Sequence, residues 1–414
     1  MTTPRGRANQ FDVVVIGAGP AGALAAARLA QCGVRVIILE KQHFPRFVIG
    51  ESLLPQCMAF LERANLLAAV QNEGFQLKNG AIISRGLNSS SIEFCDKFAP
   101  GWASTFQVQR ARFDTVLAGE ASKAGAILKY GRAVRAASFD SGQTTLSIET
   151  DQGRREDVSC RFVVDSSGYG RVLPRLLNLD RPSTFPVRHA YFTHVSDNIS
   201  ASAFDRNKIL ITIHPSNPGI WYWLIPFSDG TASIGAVTRP EHDGVPPGEP
   251  RAILWDLIGQ VPELHDLLAN ATDIRSTDVM KGYSSGVSKL ASTQFALLGN
   301  AGEFLDPIFS SGVTIALKSA DLVVDPLIRQ LDGQSVDWHR DFAEPLQVGI
   351  DTFRAFVEAW YDGSLQHIVL NPPSGDNTIR RMIVSVLAGY AWDHDNPFVK
   401  DSRRYLKATA ALCG

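Results

Sequence analysis

The sequence predicts an α/β protein: a Rossmann-type nucleotide-binding domain, an inserted and mostly antiparallel β-sheet domain, and a helical C-terminal region. Three observations carry this reading. An apolar strand, a glycine-rich turn and an alanine-rich helix follow one another in FDVVVIGAGPAGALAAARLAQCGVRVIILEK, residues 11–41. Short alternating segments separated by Pro, Gly and Asp turns fill residues 182–282. Beyond Gln334 the chain reads as helical and rich in aromatics.

In chain order, Phe11 to Gly17 reads as a buried parallel strand, Pro20 to Gln31 as a helix and Val34 to Leu39 as a second parallel strand, which together make a βαβ unit. A helix from Pro55 to Ala69 follows. The segments AIISRGL, SIEFCD and STFQVQ then read as antiparallel strands of a different layer, a local strand insertion near residues 76–108. A helix from Ala111 to Gly125, strands near Ile127 and at Thr144 to Thr150, and the buried strand RFVVDSSG come next. The strands KILITIHP, GIWYWLIPF and GTASIGAV mark the inserted sheet, after which FALLGN and a helix from Gly312 to Arg329 return to the first domain. The expected partition is 1–181 with 283–333 for the nucleotide-binding domain, 182–282 for a substrate-side sheet, and 334–414 for a C-terminal cover.

Composition narrows the function classes. Lys and Arg number 40 against 42 Asp and Glu, and no stretch clusters basic residues on a face, so nucleic acid is excluded as an expected partner. The five cysteines, Cys32, Cys57, Cys95, Cys160 and Cys413, are scattered and make no metal-ligand spacing, which fits reduced thiols and a cytoplasmic location. The polar start MTTPRGRANQ lacks the apolar region of a signal peptide, and no apolar run nears the ~20 residues of a membrane span.

The glycines of Gly17-Ala18-Gly19-Pro20-Ala21-Gly22 sit where strand becomes helix. The first permits the tight turn, the second lets backbone approach a pyrophosphate, and the third allows close packing. A pyrophosphate there rests on the helix N-terminus, whose free N–H groups favour negative charge. Glu40, with Lys41 beside it, stands about where an acidic residue meets the ribose hydroxyls, and a carboxylate there argues against a 2′-phosphate. The motif alone does not choose between NAD and FAD.

Two later segments make that choice. Val164-Asp165-Ser166-Ser167-Gly168 and Leu298-Gly299-Asn300-Ala301-Gly302, followed by Asp306-Pro307, resemble the middle and late motifs of flavin monooxygenases of the hydroxybenzoate hydroxylase type. In that superfamily the late motif usually carries Asp where this chain has Asn300, which keeps hydrogen bonding but brings no charge. Within it, four segments resemble the flavin-dependent halogenases of the phenol and pyrrole type: Phe44-Pro45-Arg46 with Ile49 to Pro55, Gly74-Phe75-Gln76-Leu77-Lys78, Trp221 to Pro226, and Asp306 to Gly312.

The resemblance implies FAD reduced by a separate flavin reductase, a chloride or bromide ion, and an electron-rich ring, either free or tethered to an acyl or peptidyl carrier protein. It implies that a flavin hydroperoxide yields hypohalous acid and that Lys78 relays it. A lysine suits that task, because its ammonium can hydrogen-bond the acid or its neutral amine can become a haloamine. An ordinary surface lysine is the plain alternative. The N–H groups of Ser311 and Gly312, opening a helix, are the implied halide donors, with an N-cap serine as the structural reading. Cofactor contacts carried over include Arg46, Ser52, Arg110, Asp165, Gly168, Asn300, Asp306, Gly312 and Val313; for Arg110 a helix-start salt bridge with Asp114 is the alternative.

Trp221, Trp223, Pro226, Pro307 and Phe309 are expected in the flavin pocket. On a strand the two tryptophans share one face, where the family uses them to keep substrate from the flavin; core packing is the plainer role. Tryptophan-type halogenases carry a glutamate in the place of Phe309, so its absence implies a phenol or pyrrole. His189, His194 and His214 read as structural, although one could serve as a base for a phenol proton. Competing activities are a reductase or dehydrogenase of the geranylgeranyl-reductase kind and an NADPH-dependent aromatic hydroxylase.

Overall fold

The computed structural model describes residues 10–140, 142–245, 247–372 and 377–413. The polar segment at residues 1–9 and Gly414 lie outside them. Two large sheets and a helical cap make up the fold.

The first sheet runs in the order Ile127–Lys129, Val36–Leu39, Gln10–Ile16, Arg155–Asp165, Gln143–Thr150 and Arg132–Asp140, with Phe295–Leu297 also on Arg155–Asp165. Its Val36–Leu39, Gln10–Ile16, Arg155–Asp165 and Phe295–Leu297 strands pair in parallel. Successive residues of the central strand enter different cores: Val13 and Val15 join the cluster under the helices Pro20–Gln31 and Ser311–Leu331, while Val14 and Ile16 join the opposite one. That two-sided burial is why the strand reads as an unbroken apolar run rather than an alternating one. The single helix expected over Pro55 to Ala69 is two, Gln56–Arg63 and Leu67–Asn72, interrupted where Asn65 takes φ 58°.

The second sheet runs Thr272–Asp273, His189–Ser196, Thr231–Thr238, Trp221–Pro226, Lys208–Ile213, Gly80–Arg85 and Asn88–Glu93, with Asp278–Lys281 also on His189–Ser196. All its pairings are antiparallel except that of Lys208–Ile213 with Gly80–Arg85. The strands within residues 80–93, expected as a local insertion in a different layer, belong to this second sheet. Their alternation explains it: Ala81 and Ile83 turn into the central core and Ile82 toward the outer one. On Trp221–Pro226 the same alternation sends Trp221, Trp223 and Ile225 inward, and Tyr222 and Leu224 outward against Leu254 and Leu257.

The C-terminal part is helical, with Glu344–Tyr361, Ser364–Leu370, Thr378–Leu387 and Ser402–Leu412 as its main members. Among the described residues no helix is long and apolar enough to cross a membrane, and no His/Cys/Asp/Glu cluster could hold a metal ion.

Candidate active site

A cavity of about 690 Å³ lies between the carboxyl ends of the parallel strands and the inner face of the second sheet. Open parallel sheets place their ligands there, because loops diverge and helix N-termini converge at that edge. Gly17 takes φ 95°, and a Cβ there would stand 2.7 Å from Ser166 O. At Gly22 a Cβ would fall 2.1 Å from Gly17 O and 2.4 Å from Ser166 Oγ. Gly17, Gly19, Pro20 and Ala21 form the wall, while Gly22 packs beneath it. Glu40 accepts from Ala18 N at 2.8 Å and Gln42 N at 2.9 Å, which fixes its carboxylate at the wall beside Lys41.

Asp114, fully buried, organises two arginines on the next part of the wall. Arg110 donates to it through Nε at 2.8 Å and Nη2 at 3.0 Å, and Arg46 through Nη1 at 3.0 Å. Arg110 thus makes the helix-start ion pair and still faces the cavity. Asp165, in contrast, lies off the wall: it accepts from Ser167 N at 2.9 Å and Leu173 N at 2.6 Å, shaping the turn from Ser166 to Gly170 that does line the cavity. Burial raises its carboxyl above the usual range, and those two backbone bonds oppose the rise. Asn300 reaches the wall, and its carbonyl accepts from Arg171 Nη1 at 2.9 Å, so the middle and late segments are joined.

The helix Ser311–Leu331 aims its N-terminus at the cavity. Ser310 precedes it at φ 55°, and its side chain makes no capping hydrogen bond. Ser310, Gly312 and Val313 line the wall, with Ser311 buried just behind. A helix of 21 residues puts a partial positive charge at that end.

Lys78 is also behind the wall, 1% exposed. Its Nζ donates to Ser52 Oγ at 2.7 Å and Leu53 O at 2.9 Å, and stands 5.2 Å from the centre of the Phe94 ring. Ser52 itself lines the cavity, so one side chain separates the amine from it. Burial pulls the Lys78 ammonium down to about 7, weakly opposed by Cys57. A surface lysine is ruled out by this placement.

Trp221 and Trp223 line the cavity with ring centres 5.9 Å apart. Trp223 Nε1 donates to Ser233 Oγ at 3.1 Å and Trp221 Nε1 to Tyr361 Oη at 3.0 Å. Pro307 shares the wall; Pro226 and Phe309, expected there too, do not. Phe309 turns into the C-terminal helices, edge-on to Phe356 and Trp360, because an apolar ring gains more from that aromatic core than from a polar turn. Asp306 is likewise off the wall, held by tyrosines.

Three features escaped the sequence reading. Gly235 lies opposite Trp223 across the strand pair, and a Cβ there would come within 2.3 Å of Trp223 Cζ2, so this glycine makes room for the indole. A glycine inside a strand was the available signal. Glu51, buried on the wall, stands 2.7 Å from His194 Nε2, which makes His194 a partner of the cavity rather than a solitary core residue. The third is the pair of hydrogen bonds made by Tyr361 to Trp221 and Asp306, which no local pattern reveals.

The glycine turn, the capped Glu40, two converging return segments and the helix N-terminus fit FAD and define a dinucleotide-binding flavoenzyme. Residues 10–344 match the family described as "FAD binding domain". The 1H-pyrrole-2-carbonyl-(peptidyl-carrier protein) brominase of Pseudoalteromonas luteoviolacea is 30% identical over 90% of this chain and 91% of its own length. The corresponding chlorinase of Pseudomonas fluorescens is 26% identical over 85% of this chain and 84% of its own. A crystal structure of a flavoprotein/dehydrogenase from Cytophaga hutchinsonii superposes with a TM-score of 0.93 at 42% identity over 98% of both chains. The chain belongs to the FAD-binding domain family and, within it, to the flavin-dependent halogenases.

Proposed function

We propose that this enzyme places chlorine or bromine on an electron-rich aromatic ring, a pyrrole or phenol, and that Lys78 carries the oxidised halogen to it. The observation that carries the reading is the buried Lys78 amine, one residue behind the cavity wall and near pKa 7. FAD, once reduced by a separate flavin reductase, supplies with oxygen and halide the hypohalous acid. The chain's own residues do the rest. The Ser311 and Gly312 N–H groups at the helix end hold halide, and Trp221 and Trp223 crowd the cavity so that a ring cannot enter it.

Lys78 accepts the acid in one of two forms. Its ammonium hydrogen-bonds hypohalous acid and polarises the halogen, or its neutral amine takes the halogen as N–X and releases water. The ring then receives the halogen and returns its proton to the amine or its surroundings. A pKa near 7 makes both forms accessible at neutral pH. Carrier tethering of the ring is supported by the pyrrole relatives, a chlorinase and a brominase of 1H-pyrrole-2-carbonyl-(peptidyl-carrier protein).

The test is a halogenation assay with FAD, a flavin reductase, NADH, oxygen, halide and either free phenols or pyrrolyl-carrier protein, read by mass spectrometry. Wild type is expected to give halogenated product, and Lys78→Ala to lose it by about 10²-fold or more while binding FAD normally. Equal product from both proteins defeats the relay. A second reading, a flavin-dependent dehydrogenase or reductase, is favoured by the likeness to the flavoprotein/dehydrogenase of Cytophaga hutchinsonii; acyl and prenyl chains are the substrates to try. It predicts no halogenated ring and flavin-dependent reduction of an unsaturated acyl substrate.

A further inference from the structure

Beyond the cavity wall lies a buried polar chain that the proposed chemistry does not use. Asp306 Oδ2 accepts from Tyr283 Oη at 3.1 Å and from Tyr361 Oη at 3.0 Å, and Asp306 Oδ1 accepts from Ile308 N at 3.0 Å. Tyr361 in turn accepts from Trp221 Nε1 at 3.0 Å. The Arg188 guanidinium stacks 3.3 Å above the Tyr361 ring and faces Asp306 electrostatically. Asp306 and Arg188 are at most 4% exposed, and Tyr283 is 6%.

The members come from four separate places. Trp221 belongs to the second sheet, Tyr283 and Asp306 to the return into the first, Arg188 to the entry into the second sheet, and Tyr361 to the last residue of the helix Glu344–Tyr361. Among the described residues, only Tyr361 hydrogen-bonds both the indole on the cavity wall and the carboxylate beside the turn that opens the helix Ser311–Leu331. A hydroxyl is needed for this, since it must accept from one neighbour and donate to the other at once. Either bond left unmade would strand a buried donor or acceptor, at a cost that packing alone does not repay.

The geometry points to Tyr361 as a positioning residue for FAD: through one hydroxyl, the C-terminal helix sets the Trp221 indole on the cavity wall and the Asp306 carboxylate behind the helix turn. The ordinary alternative is that Tyr361 only stabilises the junction between the cap and the sheets. The two differ in how substitutions combine. If Tyr361 acts on FAD through Trp221, removing its hydroxyl matters little once the indole is gone; if it acts only on the junction, the two effects multiply. Burial holds the Asp306 carboxyl up at about 6, with Arg188 and the tyrosine bonds opposing, so at neutral pH it is the ionised acceptor that the chain of bonds requires.

The experiment is FAD titration of apo-protein, followed by flavin fluorescence and by the visible spectrum of the bound cofactor, for wild type, Tyr361→Phe, Trp221→Phe and the double variant. Each single variant is expected to weaken FAD binding by about 5-fold with the apo-protein still folded, and the double variant by no more than about twice either single one. Multiplying effects, or a Tyr361→Phe affinity equal to wild type, overturn the proposal. Should Tyr361→Phe not fold, Tyr361→His keeps a polar ring atom there and is expected to weaken binding less than the loss of Trp221. The measurement reads affinity and spectrum alone, so it stands apart from whether any ring is halogenated.

Discussion

At the scale of single residues, the sharpest tension is a lysine that is only 1% exposed. Lys78 loses its proton near pH 7 when folded and near the usual lysine value, about 10.4, when unfolded. Between those values the unfolded chain binds more protons, so this group's contribution to stability rises with pH through the window; below it the full desolvation cost is present. Lys78→Met is therefore expected to stabilise the fold by about 1–3 kcal/mol at pH 7, after discounting the lost bonds to Ser52 and Leu53, with the gain shrinking toward pH 10. Urea unfolding of both proteins at the two pH values checks this; a gain that grows with pH would contradict the assigned shift. The same substitution should end halogen transfer, since the residue trades stability for reactivity.

Elements show a different balance, and here the sequence and the structure can be weighed against each other. The strand Gln10–Ile16 and helix Pro20–Gln31 are legible because local pattern and tertiary role coincide: an apolar strand, a glycine turn and a small-residue helix each have one way to pack. The Trp221–Pro226 strand is legible for the same reason, its alternation fixing which ring faces the cavity. For residues 80–93 the alternation reveals strands of another layer but not their partner, and that partner, Lys208–Ile213, is remote in sequence. What Tyr361 bonds to is illegible for a stronger reason: its partner Trp221 lies 140 residues earlier. Gly235 sits between these cases. Its Cβ would strike the Trp223 indole, so Gly235→Ala is expected to push the ring into the cavity, cost about 1–3 kcal/mol in chemical denaturation and weaken FAD by roughly 10-fold. An alanine variant with unchanged affinity would show that the indole can swing aside freely.

For the whole molecule, the cavity draws its wall from both sheets and from the helix Ser311–Leu331, so FAD should bind only the folded state. Saturation at about 100 times Kd then adds about 2.7 kcal/mol and raises the melting temperature by a few degrees, in wild type and Lys78→Ala alike because Lys78 is off the wall. Differential scanning fluorimetry with and without FAD checks it. The path of the chain has a further consequence during synthesis. It lays down strands of the first sheet, leaves for residues 80–93 of the second, returns, leaves again, and closes the first sheet only with Phe295–Leu297. A nascent chain emerging at about 5–20 residues per second must therefore hold the Gly80–Arg85 edge without its partner Lys208–Ile213 for roughly ten seconds. Ribosome-bound fragments ending before the helix that begins at Ser311 lack one side of the cavity and are expected to capture no FAD, which makes the emergence of that helix the step at which this protein either loads its cofactor or meets a chaperone.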